Sequence, residues 1–250
     1  MSTQKVILFV VAMTVVVALL LAGSAVGLAP IAEKNADIFN KRQLLLAIAN
    51  PLEAAGQPAA ALTDEEVLAF FDENVEQSVV NSQGELVNQE GLLAVNVDLA
   101  KERKKPEAER NYPVYKANVD NSNYYIFSVR GNGLWDAIWG NVALEQDLNT
   151  IAGVSFDHAG ETPGLGAEIK DNATWRAQFV GKKIYEGEKY VSVYVRKGGA
   201  LQSRAEHEVD GLSGATITAD GVTKMMYEGL QAYEPFMEES ATTSTSMNFK

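Results

Sequence analysis

Residues 210–222 read DGLSGATITADGV, a run of small and hydroxyl-bearing residues placed directly ahead of a helical pattern. Val222, Met226, Gly229, Leu230 and Tyr233 fall at i, i+4, i+7, i+8 and i+11, which predicts an amphipathic helix from about Ala219 to Phe236. A loop that leads into a helix presents backbone N–H groups and the positive end of the helix dipole, so its natural ligand is an anion such as a phosphate. Gly214 and Ala215 permit close approach of the backbone, while Ser213, Thr216 and Thr218 add hydroxyls. The competing reading is structural: Thr218 or Asp220 caps the helix, Gly211 and Gly214 make turns, and Asp210 repels any phosphate toward which it points. Taken alone, these residues leave both readings open.

Upstream of this helix the chain carries strand signals. Tyr124–Val129 is aromatic and β-branched, Trp135–Leu144 is interrupted by Gly140, and Ile151–Phe156 follows a turn. Val191, Val193 and Val195 alternate with Ser192, Tyr194 and Arg196 behind a turn at Glu186-Gly187-Glu188, which predicts a half-buried antiparallel sheet. A short helix is expected over Asp171–Val180. Thr63-Asp64-Glu65-Glu66 has capping-box spacing and opens a helix expected to run to about Val80. The segment NADIFNKRQLLLAIANP reads as a helix stopped by Pro51, and KERKKPEAERNYP, Lys101–Pro113, as an exposed charged loop. The pattern as a whole is α+β, an antiparallel sheet flanked by helices.

No charged residue lies between Val6 and Ala32. The run VILFVVAMTVVVALLLAGSAVGL is about 23 residues, roughly 34 Å as a helix, which is enough to cross a bilayer and longer than the apolar part of a signal peptide. An uncleaved anchor is the reading adopted. Lys5 lies on one side of it and Lys34, Lys41 and Arg42 on the other, so the distribution of positive charge leaves the orientation open. The expected organisation is an anchor over 1–32, a helical membrane-proximal part over 33–120, a core over 121–237 and a disordered tail over 238–250.

Composition removes several functions. A net charge of −12 on 250 residues, with no basic face, argues against nucleic-acid binding. The absence of cysteine excludes disulfides, thiolate nucleophiles and cluster ligation by this chain. His158 and His207, the two histidines, lie far apart without a second ligand at helical spacing, so no metal site is expected. An electron carrier, if present, has to be organic.

Two further stretches are rich in glycine. His158–Ile169 reads HAGETPGLGAEI and surrounds Glu161 and Thr162 with turns able to offer hydrogen bonds to a polar heterocycle; the alternative is a tight connection around a buried glutamate. Val129–Gly140 reads VRGNGLWDAIWG and lacks the third glycine and following helix of a dinucleotide fingerprint. Trp135 could stack on a flat ring or belong to the core. Lys197, at a strand end before Gly198 and Gly199, could pair with an anion.

GNGLW, HAGETPGLG and DGLSGAT, in this order behind an N-terminal span, resemble the FMN-binding domain of the C subunit (NqrC) of the sodium-translocating NADH:quinone oxidoreductase. The G subunit of the Rnf electron-transport complex shares that domain and is the alternative within the class; an anchored binding or scaffold protein without flavin is the alternative outside it. The resemblance implies that Asp210, Ser213, Gly214, Ala215 and Thr216 form the recognition pattern of a flavin transferase, with FMN joined covalently to Thr216 by a phosphoester. It also implies that Trp135, Glu161, Thr162, Leu165, Gly166, Lys197, Ser213, Gly214 and Ala215 line the flavin. It implies no catalytic residue in this chain and no metal. The expected partners are the A, B, D, E and F subunits of the complex, the flavin transferase during maturation, and membrane lipid. The expected location is a bacterial inner membrane, with the soluble domain periplasmic, in a complex that oxidises NADH, reduces ubiquinone and exports Na+.

Overall fold

The computed structural model describes residues 2–247, and side chains through residue 240. The chain divides between Asn40 and Lys41 into two units.

In the first unit the helix α1 (Thr3–Ala47) begins. Its most apolar window has a mean hydropathy of 3.0 and buries none of its surface, and among the described residues it is the one helix long and apolar enough to cross a membrane. This fits a membrane anchor. α1 does not pause where the anchor was expected to end, because Pro30 removes one N–H donor without stopping the helix.

The second unit starts with the end of α1, which stops at Ala47 and not at Pro51. Pro51 sits in the first turn of α2 (Ala49–Ala54), where its missing N–H has no helical partner to lose. Thr63 and Glu66 form the expected capping box at the start of α3 (Asp64–Asn74). The helix expected to reach Val80 ends six residues earlier, and Val75–Asn81 is instead the strand β1. Its β-branched Val75, Val79 and Val80 pair across to residues 111–117. α4 (Leu99–Glu102) follows, and then β2 (Asn111–Val119). The stretch expected to be an exposed loop over Lys101–Pro113 is therefore only partly one. Glu102 is buried, accepting from the Asn111 N–H at 2.9 Å and from Lys105 Nζ at 2.8 Å. β2 already begins at Asn111; Pro113 pairs with Val79, whereas the ladder to the following strand starts only at Val114, so no bond is asked of the proline there.

β3 (Ser122–Asn132), β4 (Ala137–Leu144) and β5 (Ile151–His158) complete a five-stranded antiparallel sheet of order β1-β2-β3-β4-β5. Its two faces are both covered. Ile126, Ala143 and Ala152 face Leu45, Ile48, Leu52, Val67 and Phe71 from the end of α1, α2 and α3. Phe127, Val129, Val142, Val154 and Phe156 point the other way. The period-2 alternation along the strands assigns each side chain to its layer. Ser128, Asn141 and Ser155 lie in register on β3, β4 and β5. They form a polar row, from Ser128 Oγ to Asn141 (2.8 Å) to Ser155 Oγ (3.2 Å), and Ser155 Oγ donates to the Gln43 carbonyl at 2.7 Å.

Beyond β5 come α5 (Glu168–Asp171) and α6 (Ala173–Ala177), two short pieces where one short helix was expected. β6 (Tyr185–Glu186) and β7 (Lys189–Tyr190) make the expected hairpin around Gly187. The Val191–Arg196 stretch departs from expectation. Ser192 has φ +57°, which breaks the strand, and only β8 (Tyr194–Arg196) remains. It pairs with β9 (Glu208–Asp210) in parallel, not antiparallel.

α7 (Thr216–Gln231) starts three residues before its expected beginning and ends five before its expected end. It lays Val222, Met226 and Leu230 on the second sheet face, each worth about 1.5–3 kcal/mol on burial. α8 (Glu234–Met247) then occupies most of the tail expected to be disordered over 238–250, of which 248–250 lie outside the described residues.

Candidate functional site

β9 and α7 are joined by Gly211–Ala215, and this junction forms one wall of a cleft of about 490 Å³. The opposite wall is the turn after β8, so Lys197, Gly198 and Gly199 meet Asp210, Ser213, Gly214 and Thr216 across the opening. Gly198 and Gly199 take φ +82° and +101°, and Gly214 +73°, conformations that side chains resist. Asp210 does not point at an incoming anion as a free charge. Its Oδ1 accepts from the Ala200 N–H at 2.7 Å and holds the 198–200 turn in place.

No side chain caps α7: Ala215 is at the N-cap, and neither Thr218 nor Asp220 fills the capping role that the structural reading offered them. The first-turn N–H groups of a helix have no partner within it, and the first turn of α7, with the positive end of the dipole, lies in the lining of the cleft. The donor set suits a phosphate. Thr216 is half-buried at the first helical position and lines the cleft.

Thr218 has a different neighbour. It is 1% exposed, and its hydroxyl donates to Glu161 Oε2 at 2.6 Å. Glu161, itself 5% exposed, accepts from the Trp135 N–H through Oε1 at 3.0 Å. Its own N–H donates to His158 Nδ1 at 3.2 Å. One buried carboxylate thus ties together the three glycine-rich stretches. Two of their glycines are required by it, because a Cβ on Gly133 would lie 2.4 Å from Oε1 and one on Gly166 2.2 Å from Oε2. The glutamate expected either to face a heterocycle or to be buried is buried, with both oxygens engaged.

Leu165 and Trp135 stand around this clamp. Leu165 is exposed and sits against Gly214, where a Cβ would approach its Cδ2 to 2.7 Å. Trp135 is not a core residue, since its side chain is 69% exposed while its backbone is fixed on Glu161. Thr162 is exposed, and its carbonyl accepts from the N–H groups of Leu165 and Ala167, both at 3.1 Å. Ser213 is exposed at the rim and Ala215 is buried below it. Lys197 is exposed at the end of β8 and, among the described residues, forms no ion pair. Trp175, unnoticed in the sequence, donates from Nε1 to the Asp210 carbonyl at 2.7 Å and anchors the strand that leads into the junction. Gly211, Leu212, Ala219 and Asp220 also line the cleft; only the density of glycine around residues 198 and 211 signalled them.

A phosphate-ready helix start beside glycine-lined space and exposed apolar side chains is the layout of a protein that holds a phosphorylated cofactor, and the FMN-binding domain family matches residues 133–231, which takes in most of the first stretch and all of the other two. The sequence is 34% identical to the C subunit of the Na(+)-translocating NADH-quinone reductase of Pseudomonas aeruginosa over 90% of each chain. It is 32% identical to that of Neisseria meningitidis serogroup A over 95% of this chain and 94% of the other. Among solved structures, the C subunit from Parabacteroides distasonis superposes with a TM-score of 0.72 at 34% identity, covering 84% of this chain and 96% of that one. The NqrC structure from Shewanella oneidensis gives 0.64 at 27% identity, covering 81% and 99%. The chain belongs to the NqrC family, the C subunits of the Na(+)-translocating NADH-quinone reductase.

Proposed function

We propose that this chain is an electron-transfer subunit that carries FMN through a phosphoester on Thr216 Oγ, in a membrane complex that oxidises NADH, reduces ubiquinone and exports Na+. The observation that carries the choice of residue is the contrast between two threonines: Thr216 lines the cleft at an uncapped helix start, whereas the Thr218 hydroxyl is buried on Glu161. Bound FMN supplies reversible transfer of one or two electrons.

The chain's own residues supply position and field. The first turn of α7 would hold the phosphate, and Lys197 would offer a cation across the cleft. Leu165 and Trp135 offer apolar contact to a flat ring, with Thr162 and Gly166 on the same loop. Glu161 is a positioning residue, holding these segments in one arrangement. Asp210, Ser213 and Gly214 are exposed beside the half-buried Thr216, with Ala215 buried beneath them, and this exposed rim suits recognition by a flavin transferase. In this reading α1 anchors the chain from residues 1–32, the soluble part is periplasmic, residues 121–237 form the flavin-bearing core, and the partners are the A, B, D, E and F subunits.

The test is in-gel flavin fluorescence after denaturation, using full-length protein co-expressed with a flavin transferase. The Thr216→Ala band is expected to be dark and the Thr218→Ala band to keep its fluorescence. Fluorescence retained by the first and lost by the second would place the linkage on the other hydroxyl.

A further inference from the structure

Remote from the flavin cleft, α4, the start of β2, β3 and the C-terminal end of α7 enclose a second cleft of about 200 Å³. Glu102, Arg103, Arg110, Tyr112, Glu228 and Ala232 are among its lining residues. The chain as a whole is acidic, with 33 acidic residues against 21 lysines and arginines. Yet neither Arg103 nor Arg110 forms an ion pair among the described residues.

The two acids that line the cleft are engaged elsewhere. Glu102 accepts from Lys105 Nζ at 2.8 Å and from the Asn111 N–H, and Glu228 pairs with Lys224 at 3.7 Å. The two guanidinium groups are also oriented. Arg103 donates from one terminal nitrogen to the Arg130 carbonyl. Arg110 donates through Nε to the Lys105 carbonyl at 3.1 Å and through a terminal nitrogen to the Arg103 carbonyl at 3.4 Å. These bonds use backbone acceptors and leave further N–H donors on each fork. Arg130 itself is turned away, with its guanidinium over the Trp139 ring at 5.3 Å. Lys104 is exposed on the same segment and adds to the positive potential, whereas Lys101 is paired with Asp98 at 3.6 Å.

We propose that the Arg103–Arg110 cleft is a binding site for a phosphate group. Two oriented guanidinium forks match the oxygens of a tetrahedral oxyanion. The same chemistry is presented by inorganic phosphate and by the headgroup of an anionic phospholipid, and the experiment separates them. This site is independent of the flavin reading.

Full-length protein in detergent is titrated with inorganic phosphate by calorimetry, and with phosphatidylglycerol or phosphatidylcholine by native mass spectrometry. The variants are Arg103→Gln/Arg110→Gln, and Lys101→Gln/Lys104→Gln as a control for diffuse charge. Phosphate binding weakened about tenfold or more in the arginine variant and little in the lysine variant identifies a site for free phosphate. Retention of phosphatidylglycerol over phosphatidylcholine, lost in the arginine variant alone and without binding of inorganic phosphate, identifies a lipid headgroup site. Three results overturn the proposal: equal binding by wild type and arginine variant in both arms, equal weakening by the lysine variant, or displacement of phosphate by glutarate at equal concentration, which would mark a pocket for a carboxylate. Thermal unfolding of each variant establishes that loss of binding is not loss of fold.

Discussion

If Gly166 is glycine because of the Glu161 carboxylate, the cost of adding a methyl group at 166 must depend on whether that carboxylate is present. In the wild type the new Cβ would lie 2.2 Å from Glu161 Oε2 and 2.7 Å from Thr218 Oγ1. Neither atom is free to retreat, since they are bonded to each other at 2.6 Å and Glu161 also holds the Trp135 N–H. Gly166→Ala should therefore fall at the upper end of overpacking costs, about 3 kcal/mol. Glu161→Ala removes the acceptor of the buried Thr218 hydroxyl, at about 1–3 kcal/mol, and that of the part-buried Trp135 N–H, at less. In the double variant the collision with Oε2 no longer exists and the Thr218 hydroxyl can turn aside, so the total should fall short of the sum by about 2 kcal/mol. The assay is urea unfolding of the detergent-solubilised full-length protein for all four members of the cycle, followed by tryptophan fluorescence. Costs that add to within about 0.5 kcal/mol would show that Gly166 and Glu161 are not coupled, and the clamp would lose its main support.

Other consequences can be checked in the same way. Gly214→Ala places a side chain at φ +73° and against Leu165, and should lower flavin incorporation, read as fluorescence per mole of protein, while leaving Thr218 on Glu161. Incorporation equal to wild type would refute it. Ser155→Ala cuts the link from the sheet to the Gln43 carbonyl and leaves a buried Asn141 donor unpaired, so it should cost about 1–3 kcal/mol in urea unfolding; no change would show the polar row to be dispensable. Asp147 lies at the surface, and the desolvation its carboxyl does suffer raises its pKa. The hydrogen bonds from Thr150 and Asn149 outweigh that and hold it below the ordinary 3.8. Because the folded value is depressed, its stabilisation is present above the unfolded value and is lost as pH falls through the folded one. The stability gap between wild type and Asp147→Asn, measured by urea unfolding, should therefore narrow below about pH 4, and a gap unchanged from pH 7 to pH 3 would contradict this assignment.

The parts of the fold that could be read from the sequence are those specified by local pattern. β3, β4 and β5 follow from runs of β-branched and aromatic residues, the capping box from Thr63 and Glu66, and α7 from its apolar spacing. The parts misread depend on distant partners. Val75–Asn81 continues a helical pattern and becomes a strand because Asn111–Ala117 lies beside it; that partner is itself obscured by Pro113 and the charges before it. β8 looks like one arm of a hairpin until Ser192 turns the chain and Glu208–Asp210 arrives in parallel.

The candidate site shows the same division. Its three stretches stand out by their glycines, but what each glycine serves was hidden. Gly133 and Gly166 make room for a carboxylate from a loop that meets them only in the fold, and Thr218 is withdrawn from the cleft by that same group. The sequence alone left three hydroxyls open, and the burial of Thr218 removes one of them on physical grounds.

The most direct test of the account is mass spectrometry of the tryptic peptide Ala205–Lys224 from full-length protein co-expressed with a flavin transferase. That peptide contains Ser213, Thr216, Thr218 and Thr223. The account predicts an FMN phosphoester on Thr216, with fragment ions leaving the other hydroxyls unmodified. An unmodified peptide, or FMN on any of the other three, would contradict it.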